Sequence, residues 1–426
     1  MIKNFSMFIL IFAVSLFFIF LSKRKMGTYK NHYFLFNMWW IIILTISKFD
    51  DSGLNPPSTY FYFICFFGIL SFNLSLITST TKITSIKLNS ESVNINYKLY
   101  FLLQLLTTIF LIPYFLKGII ISQEDSLAVL KGGLADLFEN SPLEVIKIYW
   151  FCEPMVITSI IISSFIFFFI KKKLSLVILT IINVLLFSFA FGARIQMFRM
   201  CFILLIFLFF NFLVLGDKKF IGKRIKQSFL FIASFIIIMT VFTQERSWEK
   251  KVSFTKTFNL YFIGSFSLLD KFINNPSLSK IDKDYLYGRA SLGSFIDPFL
   301  LLGVKTGVTN LTTDDLGVNN INKVSEQFYN VGKNYEMNAF CTMYYPFMRD
   351  FGLLGVFIFP FLLGSFLNWL LFKIQKTKDS FFFIAYIMFC YIMIFASNRW
   401  ELVNFWPFGA LVYTFLILKR YRKYKS

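Results

Sequence analysis

The sequence predicts an all-α fold of the membrane class, a polytopic helical protein with about 11 transmembrane helices. Its composition is more apolar than that of a soluble domain, since 57% of the 426 residues are hydrophobic, 61 are Phe, and the mean hydropathy is +0.65. The apolar residues form separate runs, mostly of about 17 to 25 residues, which suit a hydrocarbon core of roughly 30 Å. These runs lie at roughly 4 to 22, 33 to 47, 59 to 79, 99 to 117, 151 to 170, 174 to 192, 197 to 215, 228 to 243, 351 to 372, 381 to 397 and 402 to 418.

The loops between these runs alternate in charge. Six of them hold 23 of the 43 basic residues and only three acidic ones, so they carry the whole net charge of +20. Short basic loops beside membrane spans face the cytoplasm by the positive-inside rule. Basic residues spread over six loops form no single groove for nucleic acid, so we expect none to bind. The six loops are residues 23–30, 82–98, 171–173, 217–226, 373–379 and 419–425.

The same charge pattern predicts the topology and the division of the chain. An odd number of spans with a basic C-terminus inside places the N-terminus outside. We expect membrane helices 1 to 8 over residues 1–243, a large extracytoplasmic loop over 244–350, and helices 9 to 11 with a basic cytoplasmic tail over 351–426. Within the large loop, FNLYFIGSFSLLDKFI and YGRASLGSFIDPFLLLG predict short amphipathic helices, whereas 274–284 and 309–322 predict connecting loops.

The residue types restrict the chemistry of the outer face. His32, the one histidine, lies at the cytoplasmic start of the second span, and no Walker, HExxH or GxSxG motif is present. The five cysteines stand singly, without a CxxC pair. Asp50 and Asp51 could hold a divalent cation, but two acids in a Pro-rich loop are more often simply solvated. We therefore expect neither a metal nor a cofactor.

The turn FGARIQMFRM places Arg194 and Arg199 between two spans, on the side where positive charge is normally sparse. Snorkelling to lipid headgroups is one explanation. A guanidinium also binds two phosphate oxygens at once and stays charged at physiological pH, which favours phosphate binding for Arg194 and leaves Arg199 open between the two. Glu153, in the outer turn of the fifth span, needs a cationic partner or a wet cavity, unless it simply begins the helix.

A second outer feature is GKNYEMNAFCTMYYPFMRDFGLLG, a polar and aromatic approach that runs through Arg349 and Asp350 into the ninth span. Together with FGARIQMFR it resembles the oligosaccharide repeat unit polymerases, the O-antigen polymerase or Wzy-type family. The resemblance covers most of the chain in layout. It implies a fold similar to the metal-independent, all-helical, GT-C-like glycosyltransferases that use lipid-linked donors.

The resemblance implies a function on the outer face of the bacterial cytoplasmic (inner) membrane. Undecaprenyl-diphosphate-linked oligosaccharide repeat units would be joined into a surface polysaccharide, such as O-antigen, capsule or exopolysaccharide. The expected partners are those lipid-linked oligosaccharides, membrane lipids, a chain-length regulator and a flippase. Such a site needs positive charge for the diphosphate, a base for the acceptor hydroxyl and a cleft for sugars.

Several residues match these needs under the resemblance. Asp350 and Glu401 are the candidate bases, although Asp350 is also well placed to cap the ninth helix. Tyr and Trp also concentrate at any membrane interface, which is the competing explanation for the aromatic candidates. The candidates for the diphosphate are Arg194, Arg199, Arg246, Arg289, Arg349 and Arg399, and those for the sugar cleft are Tyr335, Tyr344, Tyr345 and Trp400.

Two other functions remain open from the sequence. A glycan ligase would use the same kind of donor, but ligases of that kind depend on an outer histidine that this chain lacks. A lipid-glycan flippase or transporter would favour internal repeats and charges inside the membrane. The sequence shows no repeat, and its polar residues concentrate in one long outer segment.

Overall fold

The computed structural model describes residues 2–79, 81–83, 95–124, 142–170, 173–211, 218–246, 254–281, 283–325, 327–333, 335–337 and 341–418. These residues are mostly helical, which confirms the predicted class. The helices are α1 Ile2–Met26, α2 His32–Lys48, α3 Thr59–Thr78, α4 Tyr97–Glu124, α5 Pro142–Val145, α6 Glu153–Phe169, α7 Leu174–Ala190, α8 Ile195–Phe210, α9 Lys218–Arg246, α10 Phe254–Phe262, α11 Gly264–Asn274, α12 Pro276–Ser279, α13 Gly293–Lys305, α14 Gly317–Ser325, α15 Tyr344–Thr377, α16 Ser380–Phe395 and α17 Trp406–Ile417.

Each of the eleven predicted runs overlaps one of these helices. Among the described residues, five segments are long and apolar enough to cross a membrane, so the chain has the character of a membrane-embedded protein. Four shorter apolar helices are α7, α8, α16 and α17. The number of spans and their orientation stay predictions. The five long segments are Phe5–Met26, Thr59–Thr78, Tyr97–Ile120, Ile146–Phe169 and Tyr344–Thr377.

The segment predicted as the large outer loop contains short helices, as expected, but its details differ from the prediction. The FNLYFIGSFSLLDKFI segment is interrupted at Ile263, between α10 and α11. The first half of YGRASLGSFIDPFLLLG forms turns, and α13 begins only at Gly293. The predicted loop at 274–284 contains the short α12, and the predicted loop at 309–322 contains the start of α14. The sequence also missed a small antiparallel hairpin, β1 Tyr329–Gly332 and β2 Tyr335–Met337.

Local sequence explains several helix boundaries. Asn31 caps α2, because its side-chain oxygen accepts the backbone N–H of Phe34 at 2.9 Å. Ser58 caps α3 in the same way through the N–H of Phe61 at 3.3 Å. Pro154 has no N–H to donate to the preceding turn, and the carbonyl of Trp150 in the π-helical turn Ile146–Cys152 instead accepts the Tyr413 hydroxyl at 3.4 Å.

The chain folds as two compact units. Unit 1 comprises Met1–Ile83, Phe254–Phe372 and Ile392–Phe405. Unit 2 comprises Thr84–Ser253, Lys373–Tyr391 and Trp406–Ser426. This division rests on packing alone, whereas the predicted division at 243 and 350 rests on position relative to the membrane, which stays a prediction.

In unit 1, buried amides and hydroxyls join α2, α3 and α15. Asn37 and Asn73 exchange side-chain hydrogen bonds of 2.7 and 2.9 Å across α2 and α3. Asn368 of α15 donates to the Tyr33 hydroxyl at 2.7 Å and to the Ser75 carbonyl at 3.1 Å. Such bonds between apolar helices favour one packing register, because hydrocarbon offers these groups no alternative partner.

In unit 2, α6 is the central helix, and nearly all of its residues are buried. Its Ser163 shares hydrogen bonds with Tyr100 of α4 at 2.8 Å and with Thr180 of α7 at 2.7 Å. Gln104 of α4 donates to the same Thr180 hydroxyl at 3.1 Å. This network fixes the three helices around a polar line inside an otherwise apolar core.

The ninth predicted span begins at a break within α15. Phe351 (φ −145°, ψ 25°) and Gly352 (φ 57°, ψ −144°) are not helical, so a first turn ending at Asp350 is separated from the long apolar segment. A positive φ explains the glycine, since other residues are strained there. The predicted start of the span at 351 falls at this break, but helical residues precede it from Tyr344.

Gly364 of α15 is a close-packing position. A Cβ at this residue would lie 2.9 Å from the Phe72 carbonyl oxygen and overlap the Ser75 hydroxyl. We expect Gly364→Ala to lower the free energy of unfolding by about 1–3 kcal/mol, because neither α3 nor α15 can move freely. Thermal unfolding in detergent, followed with a fluorogenic thiol dye, measures this, since all five cysteines are buried in the folded protein.

Gly222→Ala is the matched control. Gly222 lies in α9, and a Cβ there would meet no atom within 4 Å, so the alanine should leave the melting temperature unchanged or raise it slightly. Equal melting temperatures for Gly364→Ala and wild type would contradict the packing of α3 against α15.

Candidate functional site

The candidate site in unit 1 is built on the strained loop, residues 280–292. The structure describes all of it except residue 282. Its backbone has positive φ at Lys280 (56°), Asp284 (54°), Tyr287 (49°) and Gly288 (93°). A left-handed conformation costs a non-glycine residue roughly 1–2 kcal/mol. The loop therefore holds its shape only if the surrounding structure fixes it.

Arg349 fixes the first part of the strained loop. Its guanidinium, 1% exposed, donates to the carbonyls of Lys280 and Lys283, the latter at 2.8 Å. The Arg349 carbonyl in turn accepts the N–H of Leu286 at 3.0 Å. This burial leaves no open face for a lipid diphosphate, so we interpret Arg349 as a residue that positions the loop.

Asp350 fixes the second part of the strained loop. One carboxylate oxygen accepts the N–H of Ala290 at 3.0 Å and the other accepts the N–H of Ser291 at 2.6 Å. The side chain is fully buried. The alternative that Asp350 caps the ninth helix is wrong, because both of its described hydrogen bonds go to a different segment. Its role as a base stays a prediction, but in this arrangement both oxygens are already occupied.

Arg289 and Asp297 extend the same pattern. Arg289 is half-buried and donates to the carbonyls of Leu286 at 3.1 Å and Asp315 at 2.8 Å. Asp297, which sequence reasoning missed, accepts the N–H groups of Gly317 and Val318 at 3.0 Å each, at the start of α14. Burial raises the pKa of Asp297 to about 6, against the opposing effect of these hydrogen bonds.

Arg399, Trp400 and Glu401 follow α16 in the chain. Asn404 bridges the two charged residues, because its amide oxygen accepts from Arg399 at 2.9 Å and its amide nitrogen donates to Glu401 at 3.1 Å. The Trp400 indole donates to the Ser291 carbonyl at 2.7 Å, which ties this segment to the strained loop. Half-buried Arg399 lines a surface depression together with Asn322, Ser325, Trp400 and other residues of unit 1.

The arginines of this site share one property. Among the described residues, no ion pair involves Arg289, Arg349 or Arg399. Each is held by backbone carbonyls or by a neutral amide oxygen instead. Among the described residues, no carboxylate lies within ion-pair distance of them, so they contribute positive potential to unit 1. For Arg289 this potential is reduced by the nearby carboxylates of Asp297 and Asp315.

The predicted sugar-cleft residues differ in accessibility. Tyr344 is fully buried and its ring packs against Trp40, with centroids 5.5 Å apart. Tyr345 is fully buried too, and its hydroxyl donates to the Ser279 carbonyl at 3.2 Å. Trp400 is 2% exposed, whereas Tyr335 is half-buried in β2. Burial favours a packing role for Tyr344 and Tyr345, and sugar binding stays a prediction for all four.

In unit 2, Arg199 is the cationic partner of Glu153, which is one of the alternatives that the sequence left open for this carboxylate. Its guanidinium lies 2.8 Å from the Glu153 carboxylate and 4.9 Å from the centre of the Trp406 ring. Arg199 is almost completely buried. This arrangement favours a structural explanation for Arg199, since the carboxylate neutralises its charge and the indole covers it.

Arg194 occupies a different position in unit 2. It is half-buried and directly precedes the first residue of α8, where backbone N–H groups and the helix dipole favour an anion. Its own carbonyl accepts the N–H of Phe198 at 3.1 Å, which begins the helix. The side chain of Arg246, the last residue of α9, lies outside the described residues.

The residues that were considered for metal binding are placed as follows. Asp50 accepts the Ser52 hydroxyl at 2.6 Å and the Asn259 amide at 2.8 Å. Asp51 is exposed, and His32 is buried at the start of α2. In the part of the chain that the structure describes, no group of three or more His, Cys, Asp or Glu side chains could hold a metal ion.

Sequence reasoning also missed Tyr285 and Tyr287 of the strained loop, which are 40% and 71% exposed. Tyr, Leu, Tyr and Gly in succession were a possible signal, since a glycine among aromatic residues is typical of a turn. The left-handed backbone at Lys280, Asp284 and Tyr287 could not be predicted from the sequence, because these residue types usually adopt other conformations.

The fold and these placements define a mostly helical protein with membrane-embedded character, and half-buried arginines lie in both units. Comparison with known proteins finds no matching protein family, no similar curated protein and no similar solved structure. The function must therefore be argued from the residues themselves.

The pair formed by Arg199 and Glu153 is directly testable. Glu153→Gln removes the carboxylate that faces the buried guanidinium, so we expect it to lower the free energy of unfolding by about 3–5 kcal/mol. The double variant Glu153→Gln/Arg199→Met should recover most of that loss, because it removes both charges. Thermal unfolding of the purified variants measures both effects.

The control is Glu144→Gln. Glu144 and Lys147 form an ion pair of similar length, 2.9 Å, but both side chains are about one-third exposed, so its loss should cost at most about 1 kcal/mol. If Glu153→Gln melted like Glu144→Gln, the pair in unit 2 would not have the structural importance assigned to it.

Proposed function

We propose that this protein is a membrane-embedded glycosyltransferase that polymerises undecaprenyl-diphosphate-linked oligosaccharide repeat units into a surface polysaccharide. The observation that carries the proposal is that Arg289 and Arg399, both half-buried, are held by neutral oxygens without an ion pair among the described residues. A donor that carries a diphosphate needs such charge, and a carboxylate partner would cancel it.

Arg194 supports the proposal from unit 2. A half-buried arginine directly before a 16-residue helix combines a guanidinium fork with the positive end of the helix dipole. Both groups favour phosphate oxygens over neutral ligands. Arg199 is the weaker diphosphate candidate because Glu153 already neutralises it, and Arg349 is the weaker one in unit 1 because it is buried.

The proposed reaction requires little from the protein beyond positioning and charge. A hydroxyl of the acceptor repeat unit attacks the anomeric carbon of the donor glycan, a new glycosidic bond forms, and the bond to undecaprenyl diphosphate breaks. The arginines stabilise the negative charge on the leaving diphosphate. A base takes the proton of the acceptor hydroxyl. Glu401 is the better candidate, because Asp350 has both oxygens occupied by backbone amides, but Glu401 is itself buried and accepts from Asn404.

We propose further that residues 244–350 lie outside the bacterial cytoplasmic membrane, with the C-terminus inside. The six short basic loops of the sequence support this orientation through the positive-inside rule. In this arrangement the strained loop and Arg399 face the compartment in which lipid-linked repeat units are joined.

The glycan itself tests the proposed function. Deletion of the gene should leave surface lipid with at most one repeat unit, and a gel of the extracted glycan would show the loss of the polymer ladder. The wild-type gene on a plasmid should restore it. An unchanged ladder in the deletion strain would exclude this protein as the polymerase.

Substitution of Arg194 tests the phosphate role. Arg194→Lys keeps the charge but loses the two-pronged hydrogen bonding, so we expect polymer formation to fall at least about tenfold, given that a hydrogen bond to a charged group is worth about 1.5–3 kcal/mol. The control is Arg24→Lys on an exposed basic segment, which should leave the ladder unchanged. Full activity of Arg194→Lys, with Arg24→Lys also active, would remove Arg194 from the site.

The orientation has its own test. Asn310 is exposed in the long segment, so Asn310→Cys should react with an impermeant thiol reagent in spheroplasts. Background labelling should be low, since Cys65, Cys152, Cys201, Cys341 and Cys390 are all buried. Thr377 is exposed and is predicted to lie on the cytoplasmic side, so Thr377→Cys should react only after permeabilisation. The reverse pattern would invert the topology.

A further inference from the structure

The strained loop presents two tyrosine rings to solvent. Tyr287 is 71% exposed and Tyr285 is 40% exposed. Their rings meet edge to face with centroids 6.4 Å apart, and the Tyr287 ring lies 6.1 Å from Phe351 at the break of α15. The three rings form a continuous aromatic surface, which we call the tyrosine platform.

The platform is held rigidly. Three non-glycine residues of the strained loop have positive φ, and Tyr287 is one of them. Arg349 and Asp350, both buried, hold the backbone on either side of the platform through four described hydrogen bonds. Strain of this kind persists where the surrounding structure enforces it, and it concentrates at functional sites. Rigid aromatic rings also bind a ligand at little entropic cost.

The neighbours of the platform are polar. Lys283 and Asp284 are exposed directly before Tyr285, and half-buried Arg289 follows Tyr287 by two residues. Acyl chains favour a purely apolar face, whereas a sugar ring presents C–H groups to an aromatic face and hydroxyls to charged side chains around it. The combination of exposed tyrosines with both signs of charge therefore favours a glycan over a lipid tail.

We propose that the tyrosine platform binds the glycan of the lipid-linked substrate, with the rings of Tyr285 and Tyr287 against sugar rings and with Arg349 and Asp350 as positioning residues. This inference rests on the proposed function, since it names where the polymerised glycan is held. It also explains why Arg349 and Asp350 are buried instead of facing a ligand.

The test uses full-length purified protein in detergent. The probe is the soluble oligosaccharide released by mild acid from the lipid-linked repeat units of the cell that contains the protein. Its binding is measured by saturation-transfer NMR and calorimetry. The double variant Tyr285→Ala/Tyr287→Ala should bind at least about tenfold more weakly than wild type, because each aromatic contact contributes measurably to affinity. Tyr285→Phe/Tyr287→Phe should retain most of the affinity.

The matched control is Tyr60→Ala, which removes a ring with 38% exposure from another part of unit 1 and should leave affinity unchanged. Where turnover can be measured, the double alanine variant should raise KM for the oligosaccharide acceptor and leave kcat nearly unchanged. Affinity equal to wild type in the double alanine variant, or a loss in Tyr60→Ala of the same size, would overturn the proposal.

The positioning role has a separate readout. Asp350→Asn should weaken oligosaccharide binding. The double change Tyr285→Ala/Tyr287→Ala should weaken binding much less in the Asp350→Asn protein than in wild type, because both changes act through the same surface. Full additivity would overturn the positioning role. The thiol-dye melting curve checks that Asp350→Asn is folded, and the tyrosine variants test the platform even if it is not.

Failure of this inference and failure of the proposed function give different results. If wild type binds the oligosaccharide through Tyr285 and Tyr287 but the deletion strain keeps its polymer ladder, the platform is correct and the polymerase function is wrong. If the ladder is lost but the tyrosine variants bind normally, the polymerase function stands and the glycan is held elsewhere.

Discussion

Unit 1 depends on the need to satisfy buried charges and buried backbone groups together. Removing an ion from water costs several kcal/mol, and an unpaired backbone amide or carbonyl costs further free energy. Arg349 meets both needs by donating to loop carbonyls, and Asp350 does so by accepting loop amides. Asp297 does the same for the first amides of α14. These contacts join segments that are far apart in sequence.

An arginine that is hydrogen-bonded to neutral groups affects its surroundings differently from an arginine that is paired with a carboxylate. In unit 2, Glu153 neutralises Arg199, and the indole of Trp406 covers the pair, so its effect is local and structural. In unit 1, Arg289 and Arg399 are oriented by neutral oxygens, and among the described residues no direct ion pair cancels their positive field. A preorganised field of this kind is what stabilises charge on a leaving diphosphate without reorganisation, and it is the physical basis for the polymerase proposal.

The break in α15 connects this electrostatic arrangement to the apolar part of the chain. Phe351 and Gly352 turn the backbone out of the helix after Asp350. The buried Arg349 and Asp350 therefore face the strained loop, and the long apolar helix continues after Gly352. The same α15 then packs closely against α3 at Gly364. A single element therefore ties the strained loop to the helical core of unit 1, which gives the loop a rigid base.

The sequence by itself determined the helical class and the approximate positions of the long helices, because apolar runs and caps act locally. It also identified Glu153 as a residue that needs a cationic partner or a wet cavity unless it begins the helix. Only the tertiary structure decided the partners: Glu153 for Arg199, an amide for Arg399 and loop backbone for Arg349 and Asp350. It also exposed Tyr285 and Tyr287 while burying Tyr344 and Tyr345. Burial and pairing depend on contacts between distant segments, and such contacts leave no periodic pattern in a single sequence.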